Sequence, residues 1–344
     1  MTMSFVTLRP SPAGEGALAA IVRASEAHDV KSALKLARTL GAAATPPGAG
    51  NTLDLWEALA TVAAHDLGVA RAIEPHLDAL AILAQASLPP GIARPSDATW
   101  GVFAAEGGND PLTATRIGDH WSLTGTKPWC SLADRLDRAL VTAHLPGGGR
   151  GLFALDLHSP GVSVMRGVWH SRGLADIPSG PVVFLDVIAS AVGEPEWYLD
   201  RPGFAWGGIG VAACWYGGAV GIARTLYEQL GPTPEPLAAA HLGAADQELQ
   251  SARRALAESG ELVDRQPDDP EGSVLAKRVR AAVAGTCEAV LRHAAHALGP
   301  APLALIEEHA KRVSDLELYV RQHHAERDDA SLGMAIARAG QAPW

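Results

Sequence analysis

The feature that most constrains this chain is a change of texture, from helical spacing to strand spacing and back again. From Gly16 to about Ser87 alanine and leucine dominate, and apolar residues recur three and four apart, as in Ala33-Leu34-Leu36-Ala37-Leu40. A break at Thr45-Pro46-Pro47-Gly48 divides helices, Asn51 or Thr52 can cap the next one, and Pro89-Pro90-Gly91 closes the region. From Thr99 the apolar runs shorten to strand length. Trp100–Ala105, His120–Gly125, Arg138–Ala143, Gly151–Asp156 and Pro181–Val187 are separated by Gly and Pro turns. Such runs, with no helix of useful length between them, disfavour a parallel α/β sheet and predict a β-barrel or sandwich. Helical texture returns after about Trp197. Ala238–Val263 and Ser273–Ala297 are long periodic segments broken at Gln266–Pro270, and a last helix runs from about Ala304 towards His324. The expected organisation is a helical domain over 1–98, a β-domain over 99–195 and a helical bundle over 196–344.

Charge and cysteine usage narrow the function classes. A net charge of −10 argues against nucleic acid, which needs clustered Lys and Arg to neutralise phosphate. Cys130, Cys214 and Cys287 are an odd number in apolar neighbourhoods with no Cys-x-x-Cys pair, so reduced buried thiols are expected and no metal site. Met1–Pro10 has no basic region followed by an apolar run, and a cytoplasmic chain is expected. Phe204–Ala223 has no charged side chain and is long enough to span a bilayer. Its Gly207-Gly208-x-Gly210 and Gly217-Gly218-x-x-Gly221 spacings suit close packing of a core helix instead. They make no dinucleotide fingerprint, because Arg201-Pro202-Gly203 precedes them where a strand is required.

Helical bundle, β-domain, helical bundle is also the order of the acyl-CoA dehydrogenases, and several motifs carry the resemblance. The segment Gly118-Asp-His-Trp121-Ser-Leu-Thr-Gly125-Thr-Lys127-Pro-Trp129-Cys-Ser131 resembles that family's "G-x-x-W-x-L-x-G-x-K-x-W-I-T/S" hairpin. Arg166-Gly-Val-Trp169-x-x-Arg172-Gly173, then Gly180-Pro-Val-Val-Phe184-x-Asp186-Val187, follow its β-domain exit, and Gly217-Gly218-Ala219-x-Gly221 its first C-terminal helix. Over Met1–Ala98 the match is one of texture. The resemblance implies a mainly α fold with a central β-barrel and a four-helix bundle. It further implies FAD as cofactor, with the flavin ring packed on Trp129 and its N5 edge bonded by Ser131. Phe103, Ala105 and Glu106 follow on the strand that meets the pyrimidine edge. A flat aromatic covering one ring face, beside a hydroxyl facing the atom that receives hydride, is sound chemistry for such a site.

The chain departs from that pattern in places that bear on function. The "T-E-P-x-A-G-S-D" loop is shortened to Ala105-Glu106-Gly107-Gly108-Asn109-Asp110. Gly231-Pro-Thr-Pro-Glu-Pro236 stands where "R-x-x-F-G" is due, and His296-Ala-Leu-Gly299-Pro300-Ala-Pro302 where "Q-x-x-G-G-x-G" is due. Prolines lack the N–H that a phosphate accepts from. The catalytic glutamate, counted from Asp315 and Tyr319, falls on His323, and its alternative place on about Val211. His323 is therefore the candidate base, with His324 and Asp328 one helical turn apart if the helix continues. The expected activity is that of a flavin-dependent oxidoreductase of acyl-CoA dehydrogenase type on an acyl-type small molecule. The alternatives are a non-catalytic helper subunit of a heteromeric dehydrogenase and a flavin-free binding protein on the same scaffold. The bundle is expected to carry contacts of a homodimer or homotetramer, or of a heteromer with a paralogue.

Overall fold

The computed structural model describes residues 4–10, 16–86, 98–269 and 271–344, so the expected turn at Pro89–Gly91 lies outside the described residues. The chain opens with α1 (Ala17–Arg23), α2 (Val30–Ala43), α3 (Thr52–His65) and α4 (Leu67–Gln85). Asp29 starts α2 by accepting the Ser32 N–H while Ser32 answers to the Asp29 backbone, a reciprocal cap that satisfies two otherwise orphan donors. Helix α3 is the centre of the molecule: from Thr52 to Ala64 every residue but Asp54 is buried. A helix apolar on all sides must be wrapped, and α1, α4, α6 and α7 wrap it.

One buried charge interrupts that apolar helix. Glu57, with its side chain 1% exposed, receives the N–H groups of Leu8 and Arg9 at 2.7 and 3.1 Å, the Thr7 hydroxyl at 3.1 Å and the Arg9 guanidinium. Thr61, one turn on, receives the Val6 N–H at 3.0 Å. The carbonyls of the same strap are taken by Arg224 (Ser4 and Phe5) and Arg253 (Leu8). Residues 4–10 thus lie across three helices, with backbone groups of Ser4, Phe5, Val6, Leu8 and Arg9 bonded to their side chains.

The middle of the chain forms β1 (Trp100–Phe103), β2 (Thr113–Ile117), β3 (His120–Lys127), β4 (Arg138–His144), β5 (Arg150–Asp156), β6 (Val162–Val164) and β7 (Val182–Ala191). The sheet order is β1-β4-β2-β3-β7-β5, and β5 also pairs with β4, so the sheet closes into a barrel. Closure removes the exposed edges that an open antiparallel sheet would present. β2 and β3 form a hairpin in which Ile117 faces His120 across Gly118-Asp119.

The C-terminal part comprises α5 (Trp197–Asp200), α6 (Pro202–Leu230), α7 (Pro236–Arg265), α8 (Gly272–Leu298), α9 (Ala301–Leu305), α10 (Glu307–Tyr319) and α11 (Glu326–Arg338). α6 is the one helix among the described residues long and apolar enough to cross a membrane, and 78% of its most apolar window is buried inside the protein. Its glycines permit the contact: a Cβ on Gly217 would stand 2.2 Å from the Ala60 carbonyl oxygen, and one on Gly221 2.6 Å from that of Ala64. Backbone cannot yield as a flexible side chain can. Gly217→Ala is expected to destabilise by about 2 kcal/mol in chemical denaturation, the scale of overpacking; an unchanged midpoint would refute the contact.

The end of the chain departs from the sequence expectation. The expected helix from Ala304 to His324 is interrupted at Ile306, ends at Tyr319 and gives way to a 3-10 turn over Val320–Gln322. Tyr319 and Val320 are each 1% exposed, so the core fixes the chain there. Ala325 then takes φ 46°, and Asp328 accepts the His324 N–H at 3.1 Å at the start of α11. His324 and Asp328 meet across a helix start, not along a continuing helix.

Candidate active site

The hairpin end is held rigidly. Lys127, 2% exposed, donates to Glu106 and to the Thr142 hydroxyl, both at 2.8 Å, and burial lowers its pKa. Beyond it the N–H groups of Cys130 and Leu132 bond to the carbonyls of Gly180 and Pro178 at 3.0 and 2.9 Å. Pinned on both sides, Trp129 adopts φ 59° and stands 60% exposed, its ring edge-on to Trp169 at 6.3 Å. A bulky residue in the left-handed region is costly, of order 1–2 kcal/mol.

Ser131 sits beside it, 7% exposed. Its hydroxyl meets Ser179 Oγ at 2.7 Å and accepts from Arg71 Nη2 at 3.0 Å. Phe103 is buried at the end of β1 and Ala105 is half-buried in the loop after it. The Glu106 carboxylate is engaged by Lys127, by Thr142, by His144 at 3.2 Å and by Arg150 at 3.5 Å, and these partners lower its pKa despite partial burial. Its side chain therefore ties β1 to β3 and β4, close under the hairpin that presents Trp129.

A cavity of about 520 Å³, large enough for a small organic molecule, lies between α4, α6, α8 and the start of α11. Glu74, Asp78, Arg201, Val211, Arg280 and His324 are among its walls. Val211, the place of one alternative base, does face this cavity. His323 does not: the 3-10 turn gives Gln322, His324 and Asp328 to the wall. The His323 ring is set behind it, its Nε2 buried, 3.9 Å from Asp328 and without a hydrogen-bond partner among the described residues; burial lowers its pKa.

Among the carboxylates that face the cavity is Glu74, on α4. Burial pushes its carboxyl up to about 7, against the opposing pull of Arg71, whose Nη1 lies 3.7 Å away. Asp78 is raised by burial too, and Arg201 at 3.8 Å opposes it. Arg280 stacks on Trp215 with its charge 4.6 Å from the ring centroid, and donates to the carbonyls of Gly208 and Gln322. The sequence reading passed over α4. The signal was present: Arg71, Glu74 and Asp78 follow at helical spacing on one face of an otherwise Ala- and Leu-rich helix, and Pro75 interrupts it.

These residues fit the ring of a flavin: an exposed indole face, a hydroxyl beside it and a fixed cation behind the hydroxyl. The segments due to hold a dinucleotide fit it poorly. Gly231–Glu235 is a Pro-bearing link between α6 and α7, and α9 is only five residues long with Pro302 in its first turn.

The fold defined by this barrel between helical bundles is that of the acyl-CoA dehydrogenases. Butyryl-CoA dehydrogenase from Megasphaera elsdenii superposes with a TM-score of 0.74 at 16% identity, over 88% of this chain and 90% of that one. KijD3 in complex with FMN and dTDP-3-amino-2,3,6-trideoxy-4-keto-3-methyl-D-glucose gives 0.75 at 18% identity, over 94% and 91%. FMN-bound TdsC from Paenibacillus sp. A11-2, a dibenzothiophene monooxygenase, gives 0.72 at 18% identity, over 91% and 96%. No family model and no curated sequence matches the chain.

Proposed function

We propose that the chain is a flavin-dependent oxidoreductase that acts on a small organic molecule bound in the cavity beside Glu74. The observation that carries this reading is Trp129, held outward at positive φ next to Ser131. When bound, the flavin supplies the two-electron chemistry. Trp129 would cover one ring face and Ser131 would face the N5 edge, with the Lys127–Glu106 pair holding the hairpin that carries both. The proline-bearing segments after α6 and α8 favour a mononucleotide over FAD, since a pyrophosphate finds few N–H donors there. FMN in KijD3 and TdsC supports that choice.

The test is reconstitution. The purified chain, incubated with FMN or FAD and desalted, is expected to keep a flavin spectrum. Trp129→Ala is expected to retain about fivefold less, since about 1 kcal/mol of stacking beyond simple area burial is removed. Equal retention in wild type and variant overturns the placement. Retention only in the presence of a paralogous chain favours the helper-subunit reading, which the altered segments Gly231–Pro236 and His296–Pro302 also suit. Bleaching of the flavin by butyryl-CoA would assign acyl-CoA dehydrogenase activity; no bleaching turns the search to other substrates.

A further inference from the structure

Glu74 is a buried carboxylate on α4. Its side chain is 10% exposed and faces the cavity, and its ion pair with Arg71 is long. Arg71 Nη1 beside it is buried without a hydrogen-bond partner among the described residues, and the Tyr319 hydroxyl opposes the rise of the carboxyl's pKa. Buried polar groups in folded proteins are almost always bonded, so a buried guanidinium nitrogen with no partner, beside a carboxylate that faces a cavity, marks a place where something else is bound or a proton moves. The same guanidinium that approaches Glu74 through Nη1 donates to Ser131 through Nη2 at 3.0 Å. Arg71 therefore touches both the cavity carboxylate and the hydroxyl assigned to the flavin edge.

We propose that Glu74 takes up the proton that accompanies reduction of the flavin, and that Arg71 links its charge to the ring through Ser131. The proposal rests on the flavin reading above. In a two-electron oxidation the substrate gives a hydride to the oxidised flavin and a proton to Glu74, and a double bond remains in the product. Arg71, drawn towards negative charge at the Ser131 side, would loosen its hold on Glu74, whose affinity for the proton would then rise. The surroundings are suited to this. Facing Glu74 are Arg71 and Asp78 on its own helix, Tyr198 on α5, Cys214 on α6, Arg280 on α8 and Tyr319 on α10. Burial outweighs the two arginines, so the carboxyl is poised about neutrality. Neither expected place for a base, His323 or Val211, offers a carboxylate; α4 does, at Glu74.

The experiment needs no substrate. Infrared difference spectra of the flavin-loaded protein, oxidised against dithionite-reduced, are recorded near pH 7.5. One protonated-carboxyl band is expected to appear on reduction, to be lost in Glu74→Gln and to persist in Asp78→Asn. Arg71→Met is expected to abolish the redox dependence of the band while leaving a carboxyl that titrates. A band that survives Glu74→Gln, or no band in the wild type, overturns the proposal. If the chain retains no flavin, the flavin reading fails separately. A pH titration of the flavin-free protein then still decides the carboxyl: an unchanged titration in Glu74→Gln refutes it. Retained circular dichroism in Glu74→Gln, a near-isosteric change, separates these outcomes from unfolding.

Discussion

Replacing Glu57 by alanine is expected to cost about 4 kcal/mol of folding stability, the largest single loss foreseen for a residue outside the candidate site. The carboxylate is fully buried in α3 and gathers the backbone N–H groups of Leu8 and Arg9, the Thr7 hydroxyl and the Arg9 guanidinium. Hydrogen bonds to a charged group contribute about 1.5–3 kcal/mol each, and truncation leaves the donors stranded beneath the strap. Glu57→Gln, which keeps an acceptor oxygen, is expected to lose about half as much. Chemical denaturation checks both. A loss below about 1 kcal/mol in Glu57→Ala would show that the strap contributes little to stability.

The second large effect is one of pH. Burial drives His76 down from 6.5 to about 4, with Arg38 adding to the shift and Asp137 opposing it; the ring accepts the Trp100 N–H at 3.2 Å. Between those values the unfolded chain holds a proton that the folded one does not, so stability is lost as pH falls from 6.5 towards 4. Glu74 acts in the opposite sense. Its carboxyl rises from 4.5 to about 7, so the folded chain holds the extra proton and stability is lost as pH rises through that window. Each contribution is worth about 3 kcal/mol, and the windows overlap. Wild-type stability is expected to vary little on their account between 4.5 and 6.5. Glu74→Gln removes one of the two. Relative to wild type it should gain about 3 kcal/mol as pH is raised from 4.5 to 8, and its acid sensitivity should steepen. A difference between the two proteins that is flat with pH would count against a buried, raised carboxyl at position 74.

Much of this architecture was legible because each part writes its own period. The strand runs from Trp100 to Val187 stood out from the Ala-rich helices on either side, and the Gly217–Gly221 spacing announced a close helix contact that Ala60 and Ala64 supply. α7 and α8 extend only a few residues beyond the periodic segments that predicted them. The end of the chain was less legible. The pattern from Ala304 to His324 reads as one helix, and nothing local reveals that Tyr319 and Val320 are both claimed by the core. A start signal was there in Glu326, Asp328 and Asp329, acidic residues in the first turn of α11 that suit the positive end of a helix dipole. Glu74 was missed for a different reason. A motif-led search looks where the usual base should stand, whereas this carboxylate comes from the N-terminal helices, where the resemblance is one of texture alone. Partners such as Arg71–Ser131 join residues 60 apart and exist only after folding.

The strap over residues 4–10 also sets an order of events. Its partners lie on α3, α6 and α7, the last of them Arg253. A nascent chain must be extended past that arginine before residues 4–10 can gain their last bond. Until then the Leu8 carbonyl has no guanidinium to meet. The early helices are completed by helices made later, and a truncation before α7 should leave the Leu8 carbonyl without its guanidinium while α3 and α6 still hold the rest of the strap.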